Sequence, residues 1–110
     1  MIDSAKCLNQ AIKESDEYKD YVQALDKVRN NKELYDAMNS FRRKNFELQS
    51  YEDGINRYQE IYGLALEYEN VLRHPLVNGF LVAEQMLSRK MTVMYEEIAE
   101  GLELDYSYME

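Results

Sequence analysis

Four side chains of types that could do chemistry stand in the middle and later parts of the chain: Arg42, Arg43, His74 and Glu84. Two guanidiniums, an imidazole and a carboxylate could bind an anion and move a proton, and an interface between two subunits is where such a set would assemble. That is the enzymatic reading. Against it, no Ser or Cys nucleophile lies near His74 in sequence, and an activated nucleophile needs a base within hydrogen-bond reach. A di-iron site in a helical bundle wants two Glu-x-x-His pairs, yet Val71 stands three residues before the single histidine. The four glycines, at 54, 63, 79 and 101, are isolated and form no phosphate loop. Glu96, Glu97, Glu100 and Glu103 are spaced as a solvated helical face, whereas a hard cation needs several convergent oxygens and commonly loop backbone. Cys7 is the lone cysteine, so neither an intramolecular disulfide nor a thiolate pair for a metal can form. These residues therefore predict no catalytic group, no metal and no cofactor, and a protein that is not an enzyme.

What must position these side chains is helical. One Pro, four Gly and many Glu, Leu, Lys, Met and Ala make a helix-forming composition over 110 residues, a length that fits one domain, 1–110. Ser15 opens a helix that closes at Asn30-Asn31, with Tyr18, Tyr21, Val22, Leu25 and Val28 on its apolar stripe. Before it, a helix from about Ser4 to Glu14 carries Ala5, Leu8, Ala11 and Ile12, with Asp3 or Ser4 as its N-cap. A third helix, from about Lys32 to Tyr51, places Leu34, Met38, Phe41, Asn45 and Leu48 on one face. The fourth of these is polar. An amide on an apolar seam is unfavourable unless bonded, and its best-attested use is to fix register or partner number.

Glu52-Asp53-Gly54 marks the break before a fourth helix, Ile55 to Leu72, although one continuous bent helix is also compatible with the pattern. This segment has two apolar faces, which implies two neighbours, and Gly63 within it suggests a close backbone approach. Arg73-His74-Pro75 punctuates the chain, with Pro75 suited to the first turn of a last helix reaching about Leu102. Its stripe of Leu76, Val77, Phe80, Leu87, Met91, Met94 and Ile98 is interrupted by Glu84. A carboxylate turned toward a helical interface needs compensation, and Arg42, Arg43, Asn45 and Gln49 are the donors offered to it; the alternative is that Glu84 reaches solvent at the edge of the stripe. The acidic tail from Glu103 to Glu110 should fray.

The segment Phe41-Arg42-Arg43-Lys44-Asn45-Phe46-Glu47-Leu48-Gln49, followed by Leu72-Arg73-His74-Pro75-Leu76-Val77 and Phe80-Leu81-Val82-Ala83-Glu84, resembles the YlbF/YmcA family of small bacterial regulators. The resemblance implies an all-α, self-associating protein of Firmicutes that influences competence, biofilm formation and sporulation. It also implies a complex with a related family member that assists the endoribonuclease RNase Y in RNA processing. Some members carry a cysteine-bearing tail linked with iron-sulfur clusters; here no cysteine follows Cys7, so that property does not transfer.

The expected architecture is a helical bundle of about five helices with a long C-terminal helix. That helix, about 28 residues, would span roughly 42 Å at 1.5 Å per residue, against a radius of gyration near ~13 Å for a compact chain of this size. Its far end must project, so a homodimer or higher even oligomer is expected. Charge limits the partners. The net charge of −8 falls entirely in the second half, since residues 1–50 carry nine basic and nine acidic side chains and residues 51–110 four and twelve. Phosphates would be repelled there, so a protein partner is expected and direct nucleic-acid binding is not. With no signal segment and no apolar run of membrane-spanning length, a cytoplasmic, non-membrane location is expected.

Overall fold

A computed structural model describes residues 1–52, 54–103, 105 and 107, and its described residues form six helices and no strand. In chain order these are α1 (Ile2–Lys13), α2 (Asp16–Arg29), α3 (Lys32–Gln49), α4 (Tyr58–Glu67), α5 (Glu69–Arg73) and α6 (Pro75–Ala99). Asp53 and most of the tail expected to fray, including Tyr106 and Tyr108, lie outside the described residues.

The helix boundaries follow from side chains that satisfy free backbone groups. Ser15 Oγ accepts from Tyr18 N at 3.2 Å and donates to Ile12 O at 2.6 Å, so one hydroxyl closes α1 and opens α2. Asn31 Oδ1 accepts from Leu34 N at 3.2 Å at the start of α3. His74 Nδ1 accepts from Leu76 N at 3.1 Å, with Pro75 at the first helical position of α6. The start of α1 differs from expectation. It begins at Ile2 with no side-chain cap, and Asp3 sits inside the first turn, where it faces the positive end of the helix dipole.

Three further boundaries depart from the periodic pattern. The fourth helix starts at Tyr58 instead of Ile55, because Gly54 takes a left-handed φ of 75° and Asn56 Oδ1 holds Tyr58 N at 2.8 Å in a local turn. The break after α3 is thus a true separation and not a bend. The same segment then divides at Tyr68, whose φ of −101° and ψ of 18° end α4 and begin α5. At the far end α6 stops at Ala99, where Gly101 at φ 79° turns the chain and Leu102 N reaches Ala99 O at 3.0 Å.

Val28, Met38, Val77 and Phe80 are fully buried together, and α2, α3, α5 and the first half of α6 supply everything packed against them. α2 and α6 run antiparallel: Tyr21 meets Phe80 with ring centroids 5.4 Å apart, and farther along Glu17 meets Lys90 at 2.8 Å. α4 lies outside this cluster, seated on α3 through Leu64. α1 touches only α2. The result is a slab of 45 × 38 × 16 Å with a radius of gyration of 17.7 Å, well beyond the ~13 Å of a compact chain this long. No helix among the described residues is long and apolar enough to cross a membrane.

Candidate interaction surface

The interrupted stripes of α3 and α6 cross at their polar members. Arg42 Nη2 donates to Glu84 Oε2 at 2.5 Å, Arg42 Nη1 donates to Asn39 Oδ1 at 3.2 Å, and the guanidinium carbon lies 5.1 Å from the centre of the Phe80 ring. Arg42 therefore caps the core with its flat face while its edge holds a carboxylate, a combination that a guanidinium can make and an ammonium cannot. The other proposed members of this network go elsewhere. Gln49 Nε2 donates to Asn45 Oδ1 at 3.0 Å, one turn apart on α3, and neither reaches Glu84. Arg43 is exposed and has no ion-pair partner among the described residues. One helical residue turns the side chain by about 100°, which carries Arg43 off the crossing that Arg42 occupies.

The residues of the enzymatic reading do not gather within one chain. His74 caps α6, and Glu84 lies ten residues farther along the same helix, which is about 15 Å at 1.5 Å per residue. Its ring nitrogen is engaged by Leu76 N. Glu96, Glu97, Glu100 and Glu103 are exposed, and no three acidic, His or Cys side chains converge on a cation position among the described residues.

Around the crossing, hydroxyls and cations tie α3 to its neighbours. Tyr68, at the division between α4 and α5, stacks its ring 5.6 Å from Phe41, while its hydroxyl lies 2.9 Å from Lys44 Nζ and 3.0 Å from Ser40 Oγ. The Lys44 hydrogen bond lowers the Tyr68 pKa and raises that of Lys44. On the opposite flank the Arg29 guanidinium sits 5.8 Å from the Tyr35 ring centre, and its hydrogen bond to the phenol lowers the Tyr35 pKa.

Two exposed features complete the surface. Tyr58, Tyr62 and Leu66 form an exposed stripe on α4, each more than half exposed. This is the second apolar face that implied a second neighbour; α3 covers the first. Gly63 does not serve a close approach, since a side chain there would meet nothing within 4 Å. Between α2 and α6 lies a groove of about 400 Å³, floored by Ala24, Gly79, Val82 and Met86 and walled by Asp16, Glu17 and Asp20.

A family model described as control of competence regulator ComK, YlbF/YmcA, matches residues 1–103. The chain belongs to the YlbF/YmcA family. It is 29% identical over 110 residues to a UPF0342 protein of Symbiobacterium thermophilum, with 98% of each chain covered. It is 28% identical over 103 residues to a UPF0342 protein of Caldicellulosiruptor bescii, covering 92% of this chain and 87% of that one. No solved structure matches the chain. The description of the YlbF/YmcA family, control of a competence regulator, supports a regulatory role.

For this YlbF/YmcA chain, the sequence reading overlooked the acidic groove. Asp16 and Glu17 were accounted for by the dipole of α2 alone, and only the antiparallel pairing of α2 with α6 sets them across from Val82 and Met86. The visible signal was Gly79 inside a helix, where its cost relative to Ala has no local return.

Proposed function

We propose that this YlbF/YmcA chain is a noncatalytic regulatory protein that works through protein contacts. In this reading it acts as a homodimer or higher even oligomer. Its partners are a related family member and an RNA-processing enzyme of the RNase Y kind, through which it influences competence, biofilm formation or sporulation. The observation that carries the reading is the imbalance of apolar surface. Five hydrophobic side chains are buried, while fifteen large ones are exposed among the described residues, nine of them on α4 and α6. Stripes of this kind mark surfaces that other proteins cover.

Arg43 and the α4 stripe are the contact residues in this proposal, and Arg42 with Glu84 keeps the crossing beneath them in register. Affinity capture from the native cell, followed by mass spectrometry, tests it. The expected result is recovery of an endoribonuclease with the wild type and its loss with a folded Arg43→Glu or Tyr62→Ser variant. Tight, salt-sensitive binding of the pure protein to RNA at physiological ionic strength would overturn the protein-contact reading. Turnover by the pure protein that Glu84→Gln abolishes would replace it with the enzymatic one.

A further inference from the structure

The groove between α2 and α6 belongs to neither the Arg42 crossing nor the α4 stripe, and every residue lining it comes from those two helices. On both helices the lining repeats at i, i+1, i+4, i+7, i+8 and i+11, beginning at Asp16 and at Pro75. Each helix therefore presents one continuous face to it. From Pro75 to Met86 the trough runs for about 16 Å at 1.5 Å per residue, or about three helical turns.

Its shape suits a helix. Gly79 is interior to α6, does not take a positive φ, and would meet nothing within 4 Å if it carried a side chain. The chain's own packing thus does not ask for glycine there, although glycine costs stability in a helix relative to alanine. With Ala24 and Ala83 beside it, the small floor lets the backbone of a docked segment sit close. The α6 rim is apolar: Val82 and Met86 are 47% and 56% exposed, and methionine adapts its shape to what it meets. The α2 rim is acidic. None of the ion pairs among the described residues involves Asp16 or Asp20. Asp16 suits the positive end of α2, but Asp20 lies beyond the first turn, where that effect has faded. Glu17 is already held by Lys90, and Lys27 stands at the other end of the rim, about 10 Å past Asp20.

We infer that this groove receives a short amphipathic helix of a different protein, with an apolar face on Ala24, Gly79 and Val82 and with Lys or Arg along the edge that meets Asp16 and Asp20. The chain's own exposed apolar faces do not supply that occupant. They carry acids, Glu60 and Glu67 on α4 and Glu96 and Glu97 on the end of α6, and like charges across an interface are disfavoured. α1, which carries Lys6 and Lys13, is already seated against α2. Two grooves set face to face leave each other unfilled. A cationic, apolar helix from another chain satisfies the floor and both rims at once, in the helix-in-groove manner of recognition.

This inference rests on the protein-contact reading and adds to it a surface apart from the α4 stripe. A phage library of helical peptides, about four turns long and randomised at their outward positions, is selected against the wild-type chain, and the affinity of the enriched peptides is read by fluorescence anisotropy. The expected peptides are amphipathic with Lys or Arg on one edge, and the amide shifts they cause in NMR centre on Ala24, Gly79 and Val82. Gly79→Leu puts a side chain into the trough from a position where a Cβ meets nothing of the chain. Its denaturation midpoint should hold while peptide affinity falls about tenfold or more. Asp16→Asn combined with Asp20→Asn should weaken binding severalfold and flatten its dependence on salt, and Tyr62→Ser on α4 should leave it unchanged. An empty selection, acidic or uncharged peptides, or peptides whose affinity survives both groove variants overturn the inference. So does a wild-type oligomer that Gly79→Leu dissociates, which assigns the groove to a second copy. In each case capture of an endoribonuclease by the wild type leaves the protein-contact reading standing, whereas an empty selection together with an empty capture overturns both.

Discussion

Arg42 Nη2 and Glu84 Oε2 lie 2.5 Å apart where α3 crosses α6, and each side chain keeps more than a third of its surface exposed, at 38% and 35%. That exposure decides the energetics. A fully buried pair loses about 3 to 5 kcal/mol when one partner is removed, and an exposed one about 0 to 1 kcal/mol. With water reaching both groups, a double-mutant cycle of Arg42→Met and Glu84→Gln in chemical denaturation should give a coupling of about 1 kcal/mol. The same cycle with Arg43→Met should give less than about 0.5 kcal/mol, the level of independent sites.

Beside the start of α2 the Lys90 hydrogen bond holds the Glu17 carboxyl below its ordinary pKa of 4.5. A depressed acid contributes stability that is complete above the ordinary pKa and is lost as pH falls through the folded value. The contribution should therefore be constant near neutrality and disappear below about pH 4.5. Carboxyl titration by NMR should place Glu17 below the usual glutamate range, and Lys90→Met should return it there.

His74 acts through one nitrogen, as the acceptor for Leu76 N. Replacing it with Ala removes the cap and should cost about 1 kcal/mol, whereas Asn, a strong capping residue, should restore most of that loss. Denaturant midpoints of the two variants make the comparison. Equal loss with both would show that the imidazole does something besides capping.

Gly63 sits inside α4 with open space where a side chain would stand. Gly63→Ala should therefore stabilise the chain by roughly 1 kcal/mol through helix propensity and a less flexible unfolded state. A midpoint shift toward lower denaturant would mean that something outside the chain, or a strain in α4, requires the glycine.

The polar residues at helix ends were the most legible part of the sequence. Ser15, Asn31 and His74 act on backbone groups two or three residues away, so local sequence determines them. The interruptions at Asn45 and Glu84 were legible as anomalies, but their partners were not. Whether Arg42 or Arg43 faces Glu84 depends on how α3 rotates against α6, and that rotation is set by Met38 and Phe80 meeting in three dimensions. The division at Tyr68 escaped for the same reason. Tyrosine is an ordinary helical residue, and the clamp from Ser40 and Lys44 that accompanies the division arrives from another helix.

A slab 16 Å thick has consequences for how the chain resists unfolding. Amides of α2 beside Val28 should exchange with solvent deuterium only through global opening, whereas those of α1, α4 and the end of α6 should open locally at far lower free energy. The association proposed above would protect the second group by mass action. Deuterium uptake in α1 and α6 should therefore slow as protein concentration rises while the Val28 region is much less affected, and in the cell a chain made in excess of its partners would be the one that proteases reach first.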